Sequence, residues 1–349
     1  MALSGTLTIS VGRLLMVVPV WVTWCFSIPV RLWCAPPRAL PPLHGMVFNL
    51  YQTDIKLERS GALSASSPHF ANLPKEIRFP EATVLVEPER LARYREVVAL
   101  PETEGASWRG AIPASFLYTI YLSQPGFRDR YLAYGIDAEH AIHASQRFDY
   151  LRPVVAGESL VLASEVKKIL ARPGAANFIV SEETRALDAD GAEVFVSTAT
   201  FAFRATDEPA DVPQVAPRFY TDTPDYPMVE VPPFLASKLQ AFAEVSLDSN
   251  PIHLDVAAAQ AQGFNKPVVH GMLVMATMGE GCFRWVPEAE IERFTIKFVA
   301  STPVGEGLSL VAKTRLEESE TGLIILDVAA LGADDQSIRA TAEVRLRRA

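Results

Sequence analysis

The sequence predicts an α+β fold made of two related halves, each a strongly curved antiparallel sheet wrapped around one long helix. Each half begins with helical material and continues with about four strand-like runs. Residues 207–233, between the halves, are rich in proline and acidic residues, which is typical of a linker. In the second half, Met272–Trp285 is apolar on almost every face of its first turns, as expected of a buried helix.

The first 45 residues differ in character from the rest of the chain. The run Leu14–Val30 carries no charge and lies between Arg13 and Arg31, and its length is close to the minimum for a membrane span. Two prolines would disturb such a helix, and a proline-rich stretch follows it. We interpret residues 1–45 as an extension that is not native to a functional chain starting near Met46. A signal anchor, the one membrane-bound alternative, ranks second, and a cleaved signal peptide ranks third.

The two halves repeat the same succession of features. The first half, residues 75–206, begins with a predicted helix at Glu87–Leu100 and continues with strand-like runs. The second half, residues 234–349, repeats this order, which indicates a duplicated domain. The matching pairs are Arg147-Phe148 with Arg293-Phe294, Gly157-Glu158 with Gly305-Glu306, and the last strands Thr198–Arg204 with Thr341–Arg347.

Composition excludes several classes of function. The formal net charge is -9, and we find no cluster of Lys and Arg of the kind that binds phosphate backbones, so nucleic acid is not an expected partner. The three cysteines have no CxxC spacing, so neither a disulfide framework nor a zinc site is indicated. A reducing, cytoplasmic location fits this pattern best.

The densest polar signal is the segment Ala243–His253, with sequence AEVSLDSNPIH. Asn250-Pro251 is a turn signal, so Asp248 and His253 flank a rigid bend and are able to converge on one cavity. A carboxylate and an imidazole that face the same cavity form an acid/base pair. A short helix is predicted at Val256–Gln262, with Asp255 as its N-cap and Gly263 at its end.

His270-Gly271 lies immediately before the predicted buried helix. A helix N-terminus presents unpaired N–H groups that stabilise negative charge. The Gly271 N–H is therefore a candidate donor to a thioester carbonyl that becomes an enolate. We expect His270 to orient or pack against the helix start rather than to transfer protons.

The segment Phe242–Gly271 resembles the MaoC-like (R)-specific enoyl-thioester hydratases, through D-S-N-P-I-H at Asp248–His253 and V-V-H-G-M at Val268–Met272. The resemblance implies a hot-dog fold, a catalytic pair at Asp248 and His253, a loop-supporting role for Asn250, and a Gly271 N–H that binds the thioester carbonyl. The sequence departs from the family at Leu247, where glycine is usual, and this departure bears on the loop conformation.

The wider resemblance covers residues 75–349 and implies a double hot-dog arrangement. The first half has AIPASFL at Ala111–Leu117 where the second has PVVHGML, and it carries no D-x-N-P-x-H motif. The resemblance implies that this half has lost the acid/base residues and helps to form an acyl-chain tunnel. We expect bulky substitutions at Ser115 to shorten the preferred acyl chain.

His140 and His143 are three positions apart and invite a metal-site interpretation. No further ligand types gather nearby in the sequence, and the run leads into a predicted strand, so structural roles are favoured for both.

The sequence thus predicts hydration of trans-2-enoyl thioesters to (R)-3-hydroxyacyl thioesters, or the reverse dehydration. No metal or redox cofactor is required, because the thioester itself makes C2 acidic and C3 electrophilic. The expected partners are acyl-CoA or acyl-carrier-protein substrates, and the expected assembly is a monomer of the double unit or a homodimer. Two alternatives stay open, a hot-dog acyl-thioesterase and a non-catalytic acyl-binding subunit.

Overall fold

A computed structural model describes residues 3–11, 14–22, 77–101, 112–124, 130–131, 141–171, 177–204, 217–287 and 289–348. The chain divides into two compact units, residues 1–61 and 62–349. In the first unit, strands β1 (Leu3–Val11) and β2 (Leu14–Val22) pair antiparallel. The remainder of the predicted extension, residues 23–45, lies outside the described residues. Among the described residues, no helix is both long and apolar enough to cross a membrane.

The first half of the second unit carries two short strands, two helices and four long strands. Their bounds are β3 (Ile77–Arg78), β4 (Ala82–Leu85), α1 (Pro88–Val98), α2 (Phe116–Leu122), β5 (Ile142–Tyr150), β6 (Ser159–Ala171), β7 (Asn177–Leu187) and β8 (Glu193–Arg204). Helix α1 confirms the helix predicted over Glu87–Leu100, with Pro88 in its first turn, where a missing N–H has no consequence.

The second half likewise places its helices before four long strands. Its elements are β9 (Val229–Val231), α3 (Ala236–Ser246), a 3-10 turn (Pro251–His253), α4 (Val256–Ala261), α5 (Gly271–Trp285), β10 (Ala289–Phe298), β11 (Leu308–Glu318), β12 (Leu323–Gly332) and β13 (Ile338–Arg348). Helix α5 confirms the predicted buried helix, since the eleven consecutive residues Met272–Cys282 are buried. Strand β9 falls within the segment predicted as a linker and pairs with β11, so it adds an edge strand to this half.

One antiparallel sheet of 11 strands joins the halves, in the order β3-β6-β7-β8-β5-β10-β13-β12-β11-β9, with β4 also paired to β6. The seam is the β5–β10 pair, in which Phe148 lies directly opposite Phe294. Both rings are fully buried. The two residues matched in the sequence repeat therefore face each other across the seam, and the sheet and its central helices form the predicted α+β double hot-dog.

The turns after the first long strand of each half confirm the duplication. Gly157 and Gly305 both have φ of 88°, a left-handed conformation that glycine adopts without penalty. Gly157 N–H donates to Val86 O, and Gly305 N–H donates to Phe234 O. The central helices differ in length: α2 has 7 residues and α5 has 15.

Candidate active site

The loop after α3 places the predicted acid/base residues. Helix α3 ends at Leu247, which has φ of 63° and ψ of 14°, the left-handed conformation. A residue with a Cβ is disfavoured there by about 1–2 kcal/mol, which explains why glycine is usual at this position in the family. The loop conformation is nevertheless formed with leucine. Ser246 Oγ then accepts a hydrogen bond from Asp248 N–H at 3.2 Å and helps to hold the turn.

Two successive side-chain caps shape the bend between Asp248 and His253. Asp248 Oδ1 accepts a hydrogen bond from Asn250 N–H at 3.3 Å. Asn250 Oδ1 in turn accepts from Ile252 N–H at 3.2 Å and caps the 3-10 turn that begins at Pro251. Asn250 therefore supports the loop in the structure. Asp255 caps α4 through Ala258 N–H, also as predicted.

His253 is held in one tautomer by the backbone. Its Nδ1 lies 2.7 Å from Val268 O, and because a carbonyl oxygen only accepts, Nδ1 carries the proton. Nε2 of the neutral ring therefore presents a lone pair. The side chain is 9% exposed and lines a cavity together with Asp248.

His270 packs beneath this pair and fixes its geometry. Its ring stacks on that of His253, with centroids 3.8 Å apart and an interplanar angle of 25°. His270 Nε2 lies 3.1 Å from Asp248 O, so the ring donates to the backbone of the loop that holds Asp248. It is fully buried and absent from the residues that line the cavity. His270 is therefore packed at the start of helix α5, as expected from the sequence.

Burial keeps both histidines neutral near pH 7. Desolvation lowers the pKa of His253 below its ordinary value of 6.5, while the Asp248 charge acts in the opposite direction. Desolvation and the neighbouring His253 lower the pKa of His270 to about 3. His253 is therefore available as a proton acceptor at neutral pH.

Asp248, His253 and His270 are residue types that bind metals, and their ligand atoms lie within 4.8 Å of one another. The two rings are stacked, however, so their nitrogen lone pairs lie in nearly parallel planes and do not converge on one point. Tetrahedral coordination requires convergent lone pairs. The arrangement fits an acid/base pair packed on a second imidazole better than a metal centre.

Gly271 begins helix α5, with His270 as its N-cap. In the described part of the chain, the Gly271 N–H makes no hydrogen bond. A Cβ at this position would lie 3.0 Å from the Phe298 ring, so only glycine fits without movement. The helix N-terminus therefore offers a free donor in a close-packed corner of the cavity.

The cavity has a volume of about 750 Å³, within the range of small-molecule sites. Its lining includes the exposed residues Asn265 and Lys266 of the second half. It also includes buried aromatic residues of the first half, Tyr118, Tyr131, Phe201 and Phe203. Both halves therefore contribute to the wall of the cavity that Asp248 and His253 line.

The structure brings all four residues predicted for the site to one cavity: Asp248, Asn250, His253 and Gly271. Ser115 is not among the lining residues, because it is fully buried and its Oγ lies 2.7 Å from Tyr94 Oη. The expectation that Ser115 limits acyl-chain length is therefore wrong for this structure, because its side chain is packed against Tyr94 and does not reach the cavity.

Sequence reasoning did not assign Lys266, Phe298 or His143 to the site, although all three line the cavity. His143 comes from strand β5 of the other half, more than 100 residues before Asp248, and no local motif announces it. Its partner in the sequence pattern, His140, lies outside the described residues.

Comparisons with known proteins agree with this architecture. Residues 219–322 match the model of the MaoC like domain, and residues 82–197 match the FAS1-like dehydratase domain region. A UPF0336 protein of Clavibacter michiganensis is 30% identical over 152 residues, which are 42% of this chain and 92% of that protein. The (R)-specific enoyl-CoA hydratase of Aeromonas caviae is 51% identical over 41 residues, or 12% of this chain and 31% of the relative.

Solved structures share the fold across both halves. A MaoC-like dehydratase superposes with a TM-score of 0.63 and 18% sequence identity, covering 78% of this chain and 98% of that one. At this identity the likeness speaks for the fold. Together with the family models and the relatives, it shows that the chain belongs to the MaoC-like dehydratase family, in its double hot-dog form.

Proposed function

We propose that the protein catalyses the reversible syn addition of water to trans-2-enoyl thioesters, giving (R)-3-hydroxyacyl thioesters. Asp248 and His253 are the acid/base pair, Gly271 N–H binds the thioester carbonyl, and Asn250 supports the loop. The observation that carries this proposal is the convergence of Asp248, His253 and the unpaired Gly271 N–H on one cavity.

The chemistry requires two proton transfers and one oxyanion site. One member of the pair removes a proton from water as the water oxygen forms its bond to C3. The C2=C3 electron pair then moves toward C1, and the negative charge that develops on the carbonyl oxygen is stabilised by Gly271 N–H. The other member delivers a proton to C2. Because the reactive atoms of Asp248 and His253 lie within 4.8 Å, a proton is returned between them over a short path.

One exposed cation of the cavity lining supports a substrate whose carrier is anionic. Lys266 lines the cavity, is exposed to solvent and carries a positive charge. CoA and the phosphopantetheine arm of acyl carrier protein both present phosphate, so the carrier is proposed to be one of these two. The proposed compartment is the cytoplasm, and the proposed assembly is a monomer of the double unit or a homodimer of it.

The test is loss of the conjugated enoyl absorbance when the full-length protein is mixed with a trans-2-enoyl-CoA series. Asp248→Asn and His253→Ala are expected to lower kcat by about 10²–10⁴-fold, because each removes one proton-transfer group. Asp255→Asn is the matched control, since it changes a nearby carboxylate that caps α4 and does not line the cavity. Chiral separation of the product reports its stereochemistry.

Other outcomes identify the alternatives. Release of free thiol without loss of the enoyl band would indicate an acyl-thioesterase. If the folded wild-type protein binds the thioester but neither releases free thiol nor removes the enoyl band, an acyl-binding subunit would be indicated. If Asp255→Asn lowered the rate as much as Asp248→Asn, the assignment of the pair would be wrong.

A further inference from the structure

Four rings form a continuous aromatic column that runs from the first half to the proposed catalytic histidine. Tyr94 of helix α1 lies 5.5 Å from Phe242 of helix α3, measured between ring centroids. Phe242 lies 4.9 Å from His270, and His270 lies 3.8 Å from His253. Tyr94, Phe242 and His270 are fully buried, and of the four residues His253 alone lines the cavity. Two buried rings of helices α1 and α3 therefore stand behind the histidine pair.

His253 is fixed both at its edge and at its face. At the edge, Nδ1 donates to Val268 O at 2.7 Å. At the face, the ring stacks on that of His270 with an interplanar angle of 25°. Rotation of a histidine ring about χ2 has only broad intrinsic preferences, so contacts of this kind decide where the ring nitrogens lie. A change in the position of His270 would therefore change the position of His253.

His270 is held by packing more than by hydrogen bonds. Its Nε2 donates to Asp248 O at 3.1 Å. Its Nδ1 is shielded from solvent and has no hydrogen-bond partner among the described residues. A single hydrogen bond lets a ring tilt about the donor atom, so the tilt of His270 is set by the rings that it contacts. One is the ring of His253, and the other is the ring of Phe242, at an interplanar angle of 56°.

We propose that Phe242 is a positioning residue for the hydration of enoyl thioesters: its ring holds His270 against His253, and so keeps the catalytic imidazole in the orientation that its hydrogen bond to Val268 requires. This inference rests on the proposed function. Phe242 does not line the cavity, so it acts through His270 and not on the substrate. Tyr94 packs on Phe242, so the first half supports the catalytic ring from a distance.

The experiment compares Phe242→Leu, which removes the ring, with Phe242→Tyr, which keeps it. Phe242→Leu is expected to lower kcat for trans-2-enoyl-CoA by about 10–100-fold while KM stays within about twofold, because a misplaced proton-transfer group slows the chemistry without weakening substrate binding. Phe242→Tyr is expected to recover most of this loss. If Phe242→Leu does not fold, Phe242→Met replaces it, since methionine also lacks a ring and fills irregular space.

Phe234→Leu is the matched control. Phe234 is buried in the same half, does not belong to the aromatic column and does not line the cavity. The same substitution there is expected to lower stability in urea while kcat stays within about threefold of wild type. Loss of packing alone is thereby separated from loss of the support under His270.

Nitrogen–proton correlation NMR of the histidine rings reports on His253 without any need for activity, and the spectrum of His253→Ala identifies its signals. In wild type and Phe242→Tyr, the proton of the neutral ring is expected on Nδ1. In Phe242→Leu, a second tautomer is expected, and the pKa of His253 is expected to rise toward its ordinary value because water reaches the imidazole pair. Among the described residues, Asp248 of the same loop and His270 at the start of α5 are the titratable groups coupled to His253, and both stay in place.

The outcomes separate this inference from the proposed function. A kcat in Phe242→Leu no lower than in Phe234→Leu, with unchanged His253 signals, would overturn it. Equal losses in Phe242→Leu and Phe242→Tyr would also overturn it, because the ring would then not matter. If wild type hydrates no enoyl-CoA, the hydratase proposal fails, and the His253 spectra of the same variants still decide the role of Phe242.

Discussion

The two halves share one fold but differ at the C-terminal ends of helices α1 and α3. Helix α3 leaves through Leu247 in the left-handed conformation, and the chain turns into the loop that holds Asp248 and His253. Helix α1 leaves through Ala99 with φ of -54° and ψ of 139°, an extended exit. The two helix exits therefore differ in backbone conformation, and the loop that holds the proposed acid/base pair follows the left-handed one.

The starts of the central helices α2 and α5 also differ between the halves. Gly271 leaves its N–H free and packs against Phe298, whereas Ser115, its counterpart, is buried against Tyr94. The first half keeps the sheet, the seam and the glycine turn, and it lines part of the cavity. The two halves thus share a core, while the residues proposed for the acid/base chemistry lie in the second half.

Exchanging the residues at the two helix starts is expected to give the largest effect. Gly271→Ser should lower kcat/KM by about 10²–10³-fold, because the new Cβ collides with Phe298 and displaces the carbonyl donor. Ser115→Gly should change kcat/KM by less than about threefold. It should lower the free energy of unfolding by about 1–3 kcal/mol, because the buried Tyr94 hydroxyl loses its partner.

Enoyl hydration and urea unfolding measure the two quantities. Equal rate losses in both variants would mean that the two helix starts are functionally equivalent, and the contrast between the halves would fail.

Acid sensitivity is expected to come from both halves. The folded-state pKa is lowered from 6.5 to about 4 for His143 in the first half and to about 3 for His270 in the second. These groups stay neutral when folded and bind protons when unfolded. The folded protein therefore has its full free energy of unfolding above about pH 6.5. It loses part of this free energy as the pH falls toward the folded-state pKa values of the two histidines.

His143→Phe removes one group that binds a proton in the unfolded state and stays neutral in the folded state. Between about pH 5.5 and 4.5, the slope of unfolding free energy against pH should become shallower by about 1.4 kcal/mol per pH unit. His270→Phe should have the same sign. Urea unfolding at pH 7, 5.5 and 4.5 measures the slopes, and parallel slopes in wild type and His143→Phe would show that His143 titrates normally in the folded protein.

The smallest expected effect compares the two helix exits directly. At Leu247, with positive φ, glycine should be more stable than alanine by about 1 kcal/mol, because only glycine adopts this conformation without strain. At Ala99, with negative φ, Ala99→Gly should instead lower stability by about 0.5–1 kcal/mol. Thermal unfolding of Leu247→Gly, Leu247→Ala and Ala99→Gly tests this. The same sign at both positions would mean that the exits do not differ in solution.

The sequence predicted the bend between Asp248 and His253 well, since the determinants of this bend are local. Asp248 and Asn250 cap the turn that they belong to, and Pro251 begins the 3-10 turn that carries His253. The duplication was also visible, because Gly157 and Gly305 are required by the same backbone conformation in each half. The left-handed conformation of Leu247 could not be predicted with the same ease, since leucine rarely adopts a positive φ and its side chain does not indicate one.

What the sequence alone determined is the repeated α+β organisation, the buried helix α5 and the bend between Asp248 and His253, because periodicity, turn residues and caps act within a few positions of each other. The double hot-dog form and the four residues proposed for the site came from the resemblance of the D-S-N-P-I-H and V-V-H-G-M segments to a known family. Only the tertiary structure decided that Ser115 faces Tyr94 and that His143 lies beside Phe298. The reason is physical: the β5–β10 pairing that joins the halves brings together residues far apart in the chain, and packing across that seam leaves no local pattern in the sequence.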